Sequence, residues 1–345
     1  MKEVRSLNIY NYTKEQLIDI LLEHNFKKYH ATQLFEWIYK HKVKQFNKMH
    51  NLNKQLVAWL EDNAMVGSLK IKETIPGEDT EKYLIELEDN LFIEAVLMKH
   101  KYGLSLCVSS QVGCNMNCTF CASSKLKKQR NLTTGEMTET VVLIENHIKK
   151  RISHVVIMGI GEPFDNYDNM MNFIRIINDP HGLAIGSRHI TISTCGIIPG
   201  IIKLSAEPFQ VNLAISLHAA NDILRSKLMP INKRYPLPEL IKACEDYIRL
   251  TNRRITIEYI LLKGINDSSK DARELASLIK ELKAYVNLIP YNDATGKYKP
   301  SNEKNVLIFA DILKKLQINV TIRREFGSEI NAACGQLRAR AEEQK

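Results

Sequence analysis

Apolar residues along the chain follow two rhythms, and the change between them divides it. Up to about residue 65 they recur every three to four positions. In TKEQLIDILLEH the pairs Leu17/Leu21 and Ile18/Leu22 draw a stripe along one helix. Thr13 opens that stretch with Gln16 three residues on, the pairing of a capping box, which fixes where the helix starts. HATQLFEWIYK and NKQLVAWLEDN repeat the rhythm and predict two more helices. Residues 1–68 therefore read as a small helical domain. Its aromatics Phe26, Tyr29, Phe35, Trp37 and Tyr39 are expected in its core rather than on a base-stacking surface.

The second rhythm is that of strands. EKYLIELEDNLFIEAVLM (81–98) predicts a β-hairpin turning near Asp89 and Asn90, within an extension or linker spanning 69–100. Glu94 interrupts its second apolar run, and alternation alone turns that carboxylate to water. From about residue 101 to the end, short apolar runs alternate with helical patterns. SLCVSS, HVVIMG, RHITIST, VNLAISLH, RITIEYILL, YVNLIP and a late NVTIRR read as strands. TTGEMTETVVLIENHIKK, YDNMMNFIRIIND, PGIIKLSA, LPELIKACEDYIRL and SSKDARELASLIKELK read as the helices between them. Repeated strand–helix units imply an α/β fold with a parallel sheet, curled or doubly wound. Polar or glycine-rich sequences recur where these strands end: CNMNCTFC, GIGEP, Ser193, the SLH run and YND. In such folds the strand C-termini share one face, so these motifs are expected to converge there.

Composition narrows the class. With 44% hydrophobic residues, the 345-residue chain can bury a sizeable core. Its net charge of +9 suits a polyanionic partner. Residues 1–55 hold ten Lys or Arg against five Asp or Glu, and KLKKQR at 125–130 is the strongest local basic run, so the 1–68 domain and this run are both expected to bind nucleic-acid phosphates. The N-terminus lacks the apolar core of a signal peptide, and no stretch is long enough to span a bilayer. Seven cysteines, an odd number, argue against a disulfide framework and for a reducing, cytoplasmic setting. Clustered cysteines there point to metal or catalysis.

Three of them stand in VGCNMNCTFCAS, as Cys114, Cys118 and Cys121. A closed structural site usually wants four ligands. Zinc with a distant fourth ligand would make this a nucleic-acid-binding protein without catalysis. A [4Fe–4S] cluster held by three thiolates would instead leave one iron open to a non-protein ligand.

CxxxCxxC with Phe120 before its last cysteine, on the loop after the first strand of a βα series, resembles the radical S-adenosylmethionine (SAM) enzymes. In that superfamily SAM chelates the open iron, and the reduced cluster cleaves it to a 5′-deoxyadenosyl radical. GIGEP (159–163) resembles the superfamily's SAM-binding motif. SLCVSSQVGC, RNLTTGE, MGIGEPFDN, RHITIST, AISLHA, KLMPIN, VNLIPYN, TIRREFG and AACGQLR extend the resemblance to the RlmN family of RNA methyltransferases. It implies a partial (β/α)6 radical SAM barrel with an N-terminal helical domain. It also implies methylation of adenine C2 in 23S rRNA near the peptidyl transferase centre, and in many bacteria of tRNA beside the anticodon. An electron donor such as flavodoxin or ferredoxin is implied as well, and a monomer is the default. The Cfr branch, which methylates C8 and confers antibiotic resistance, tends to have Ala where this chain has Pro163.

The resemblance also assigns roles. Cys334 in AACGQL matches the cysteine that is methylated, Cys107 the resolving cysteine of a transient disulfide, and Glu94 the proton acceptor. Gly161, Glu162, Ser193, Ser216, Leu217, His218 and Asn292 match the SAM contacts, while Arg323 and Arg324 are candidates for phosphate. Two departures stand out. Cys195 replaces a serine usual in STSG, and CASSKLKKQR replaces a stretch that often carries a glycine pair. Cys244, within a helical pattern, is expected in the core.

Overall fold

The computed structural model describes residues 7–293 and 295–323; Arg324 and Cys334 lie outside them. Three helices open the chain: α1 (Lys14–Glu23), α2 (Lys28–Tyr39) and α3 (Lys54–Asn63). The capping box forms as the sequence predicts, with the Gln16 amide donating to Thr13 Oγ1 and the Thr13 amide to Gln16 Oε1. Leu17 and Leu21 are buried, while Leu22, the far edge of the expected stripe, is half exposed. Phe35 and Tyr39 are core residues, but Tyr29 stands out to solvent.

This helical module is keyed into the rest of the chain through α4 (Thr134–Ile148). Glu139 on α4 is 1% exposed and accepts from the Ser68 amide and the Lys44 ammonium. Glu145, one helical face further along, accepts from the Ile152 amide and pairs with Lys42. Asn11 accepts from the Gly135 amide. One continuous apolar core then runs from Ile9 in the module to Leu313 near the end of the described chain.

Ten strands form one sheet in strict sequence order. They are β1 (Lys70–Pro76), β2 (Thr80–Glu86), β3 (Phe92–His100), β4 (Gly103–Val108), β5 (His154–Ile157), β6 (Ile190–Thr194), β7 (Asn212–Ser216), β8 (Ile255–Leu261), β9 (Ala284–Pro290) and β10 (Val320–Ile322). Strands β1 to β4 pair antiparallel, and β4 to β10 pair parallel. The parallel part is the expected set of six strands followed by the late strand. The hairpin adds its strands to the same sheet, and residues 70–76, expected only as linker, supply a further one.

Helices cover the outer face: α4, α5 (Tyr167–Asn178), α6 (Ile198–Ser205), α7 (Asp222–Leu228), α8 (Leu237–Thr251), α9 (Ser269–Ile279) and α10 (Glu303–Lys315). Helix α5 alone buries Met170, Met171, Phe173, Ile174, Ile176 and Ile177, each contributing about 1.5–3 kcal/mol. Helices α7 and α10 were not expected from the sequence. Side chains from β3 through β9 line one internal cavity, which shows that the sheet curls into a partial barrel.

Candidate active site

The strand ends do converge. An open cleft of about 870 Å³ lies at the C-terminal side of the parallel strands, lined by Cys114, Cys118, Cys121, Gly161, Glu162, Ser193, Ser216 and His218 among others. Leu217 does not line it: the side chain is fully buried, and the backbone carbonyl serves the site from behind. Asn292, half-buried after β9, is not among the lining residues either.

The cysteine loop is fixed at several points. Gln111–Val112 pairs antiparallel with Arg130–Asn131, closing the loop at its base. Gly113 enters it at φ +75°, where a Cβ would strike the Lys127 carbonyl. The Cys114 amide donates to the Leu126 carbonyl and the Thr119 amide to the Leu228 carbonyl. Burial pushes the Cys114 thiol up to about 12 and raises Cys118 as well. Buried thiols resist ionisation until a cation replaces the proton, which is what iron does. The three thiols share one cleft, yet among the described residues no three His, Cys, Asp or Glu side chains gather around a single-ion position. Three thiolates in one cleft suit a [4Fe–4S] cluster, whose irons each take a separate thiolate.

The GIGEP loop wraps back on the first strand. The Ile160 carbonyl accepts from the amides of Ser110 and Gln111, and the Glu162 amide donates to Gln111 Oε1. Gly161, at φ +109°, has no room for a side chain against Ser110 and Gln111. The Glu162 carboxylate accepts from Thr194 Oγ1 (2.7 Å) and from the amides of Cys195 (2.8 Å) and Phe164 (3.1 Å). Burial raises its pKa against those bonds. Glu162 thus ties the loop after β5 to the loop after β6.

The next loop presents His218 in a left-handed backbone conformation. Its Nδ1 accepts from the Ile260 amide, and burial lowers its pKa to about 3. The ring is therefore neutral, with the proton on Nε2, and packs edge-on against Phe120. The hydroxyls of Ser193 and Ser216 lie 3.3 Å apart beside it. Cys195 lines the same cleft as a buried thiol whose pKa is raised by burial, and Cys244 lies in the core as expected.

Sequence reading missed the residue that holds these loops together. Arg225 on α7 is fully buried and donates to the carbonyls of Cys195 (2.7 Å), Leu217 (3.2 Å) and Ser216 (3.3 Å), and to Asn232 Oδ1 (2.7 Å). It also missed Glu258 on β8, which lines the cleft floor, accepts from Asn287 and faces Arg323 at 4.0 Å.

Glu94 is not at the surface. It is 2% exposed, with Lys82 Nζ 3.4 Å from its carboxylate. Strand β3 buries every residue from Ile93 to Met98, so both of its faces are covered where a lone hairpin would leave one to water. Cys107 lies opposite Val96 on β4, in an apolar cluster with Met98 and Ile160 that Met158 joins to the cleft. The basic run is partly neutralised: Lys128 pairs with Asp165, and Arg130 with Asp89 and Glu136, leaving Lys125 and Lys127 exposed. Among the described residues no helix is long and apolar enough to cross a membrane.

A curled parallel sheet with a three-cysteine loop and a glycine–glutamate loop at its mouth defines a radical SAM enzyme. The Radical SAM superfamily model matches residues 108–276, and the model for the ribosomal RNA large subunit methyltransferase N-terminal domain matches 7–66. A crystal structure of a radical SAM methyltransferase from Sphaerobacter thermophilus superposes with a TM-score of 0.91 at 40% identity, covering 96% of this chain and 99% of that one. A curated relative from Enterococcus faecalis, "Probable dual-specificity RNA methyltransferase RlmN", is 50% identical and covers 96% of both chains. One of the same name from Listeria welshimeri is 51% identical, covering 96% of this chain and 94% of its own. The chain belongs to the RlmN family of radical SAM RNA adenine methyltransferases, whose cofactors are a [4Fe–4S] cluster and SAM.

Proposed function

We propose that this enzyme methylates C2 of an adenosine in 23S rRNA at the peptidyl transferase region, and the equivalent position of tRNA beside the anticodon. Cys114, Cys118 and Cys121 hold the cluster, and Gly161, Glu162, Ser193, Ser216, Leu217, His218 and Asn292 serve SAM. Bound together, cluster and SAM supply the carbon radical chemistry that an electron-poor ring carbon requires. The chain's own residues do the rest. Cys334 carries the methyl group as a thioether, Glu94 accepts the C2 proton, and Cys107 closes a disulfide with Cys334 that frees the product. The enzyme works as a cytoplasmic monomer and takes its electron from a small redox protein such as flavodoxin or ferredoxin.

One observation supports this reading above the others: Glu94 and Cys107 occupy the same inner face of adjacent strands, beside the cysteine-lined cleft. Proton acceptance and disulfide closure need those two groups near one substrate carbon. Pro163 after Glu162 favours C2 over the C8 chemistry of the sister branch. Digested rRNA and tRNA from a deletion strain, compared by mass spectrometry with 2-methyl- and 8-methyladenosine standards, test it. Loss of 2-methyladenosine is expected, and loss of 8-methyladenosine alone would overturn the regiochemistry.

A further inference from the structure

Lys82 is 3% exposed, a degree of burial that lysine almost never reaches without a partner. It stands on β2 directly opposite Val96 of β3, and Val96 stands directly opposite Cys107 of β4. Lys82, Val96 and Cys107 thus form one rung across three strands. Glu94, two residues before Val96, projects from the same face, because side chains alternate along a strand. Its carboxylate lies 3.4 Å from the Lys82 ammonium, and both side chains are at most 4% exposed.

A buried ion pair contributes little to stability once desolvation is counted, and an apolar pair of the same volume often does as well. The arrangement therefore calls for a use of the charges. On the reading that Glu94 is the proton acceptor, that use is clear. A carboxylate moved from water into an apolar wall favours its neutral acid, and a neutral acid cannot take a proton. An ammonium held on the neighbouring strand reverses this and fixes the direction in which the carboxylate points.

We infer that Lys82 is the positioning residue of the proton acceptor, holding Glu94 as an anion on the face it shares with Cys107. The step it serves is simple: one proton leaves C2 of the Cys334-linked base, its bonding pair stays with the base, and Glu94 passes from anion to acid. The inference rests on the role proposed for Glu94.

The test uses the full-length, cluster-loaded enzyme in three variants: Lys82→Met, Lys82→Arg and Glu94→Gln. Three readouts are followed: 5′-deoxyadenosine release, methyladenosine formation, and a protein–RNA adduct that survives denaturation and vanishes with ribonuclease. In a single turnover Lys82→Met is expected to release 5′-deoxyadenosine as the parent does, lose methylation by about a hundredfold and accumulate the adduct. Lys82→Arg, which retains the cation, is expected to recover most of the activity without trapping. If Lys82→Met does not fold, Lys82→Gln replaces it with the same expectations. Methylation within twofold of the parent would overturn the inference. So would loss of that first-turnover 5′-deoxyadenosine in step with methylation, since that marks a merely structural role. Glu94→Gln separates the two ideas. If it traps the adduct while the Lys82 variants do not, only the inference about Lys82 fails. If Glu94→Gln turns over freely, the acceptor reading fails first.

Discussion

Arg225→Lys tests how much one buried side chain contributes to the SAM-binding loops. The guanidinium serves three backbone carbonyls and Asn232 Oδ1 from three nitrogens spread over a rigid fork. A lysine ammonium concentrates its donors at one atom. It can reach the neighbouring carbonyls of Cys195 and Ser216, or Asn232, but not all four acceptors. About two hydrogen bonds from a charged donor are lost, at roughly 1.5–3 kcal/mol each. With partial relaxation of the loops, the net cost is about 3 kcal/mol, a large share of the ~5–15 kcal/mol that holds a typical domain. Urea unfolding followed by far-ultraviolet circular dichroism should show the unfolding free energy fall by that amount, as a lower midpoint at unchanged slope. Because the freed carbonyls belong to the loops after β6 and β7, calorimetry should also show SAM binding weakened at least about tenfold. A stability change below about 1 kcal/mol with unaltered SAM affinity would refute the reasoning, and would mean that these loops hold their shape without the clamp.

Replacing Cys118 with Ser should abolish the iron content and visible absorption of anaerobically purified enzyme, since each thiolate is expected to hold a separate iron; full iron occupancy would sink the assignment. His218 gives a pH dependence with a definite sign. Its pKa is lowered from 6.5 to about 3 in the folded chain, so the stability tied to its neutral form is complete above pH 6.5 and is lost as pH falls toward 3. At one unit below 6.5 the loss is about 1.4 kcal/mol, and His218→Asn, whose Oδ1 can still accept from the Ile260 amide, should flatten that slope in urea titrations of the apo-protein. For RNA binding, Lys125→Ala and Lys127→Ala should each lower the slope of log affinity against log salt by about 0.7–0.9 in filter-binding assays. Lys128→Ala should change it less, because that charge is already committed to Asp165.

What the sequence disclosed and what it hid divide along a physical line. The cysteine loop, GIGEP and the capping box were legible because each is local, a few residues whose spacing sets their geometry. The strand and helix rhythms were legible for the same reason. Helix α10 is present in the sequence too, with Val306, Phe309, Ala310 and Leu313 at helical spacing and all buried, between a polar loop and the last strand. Glu94 misled because alternation gives the face a side chain takes, not what covers that face. Its cover depends on the strand register that sets Lys82 and Cys107 beside it. The basic run misled likewise, since Asp89, Glu136 and Asp165 reach it from other parts of the chain. Arg225 left no trace because three of its four acceptors are backbone carbonyls, which any residue could supply.

The docking of the helical module on α4 bears on how a folded RNA is met. Glu139 and Glu145 are anchored out of water to backbone amides and lysines, and the apolar core crosses the seam between module and barrel. Such a joint does not hinge without exposing those carboxylates and parting that core. Module and cleft therefore act as the two fixed jaws of a caliper. On the reading that the basic module grips the RNA, an adenosine reaches the chemistry only if its RNA spans that fixed distance, so the distortion needed to bring a buried base out of its stack falls on the RNA. The two RNAs of the proposed function would then be measured by the same gauge, selected by how they bend more than by the sequence around the target.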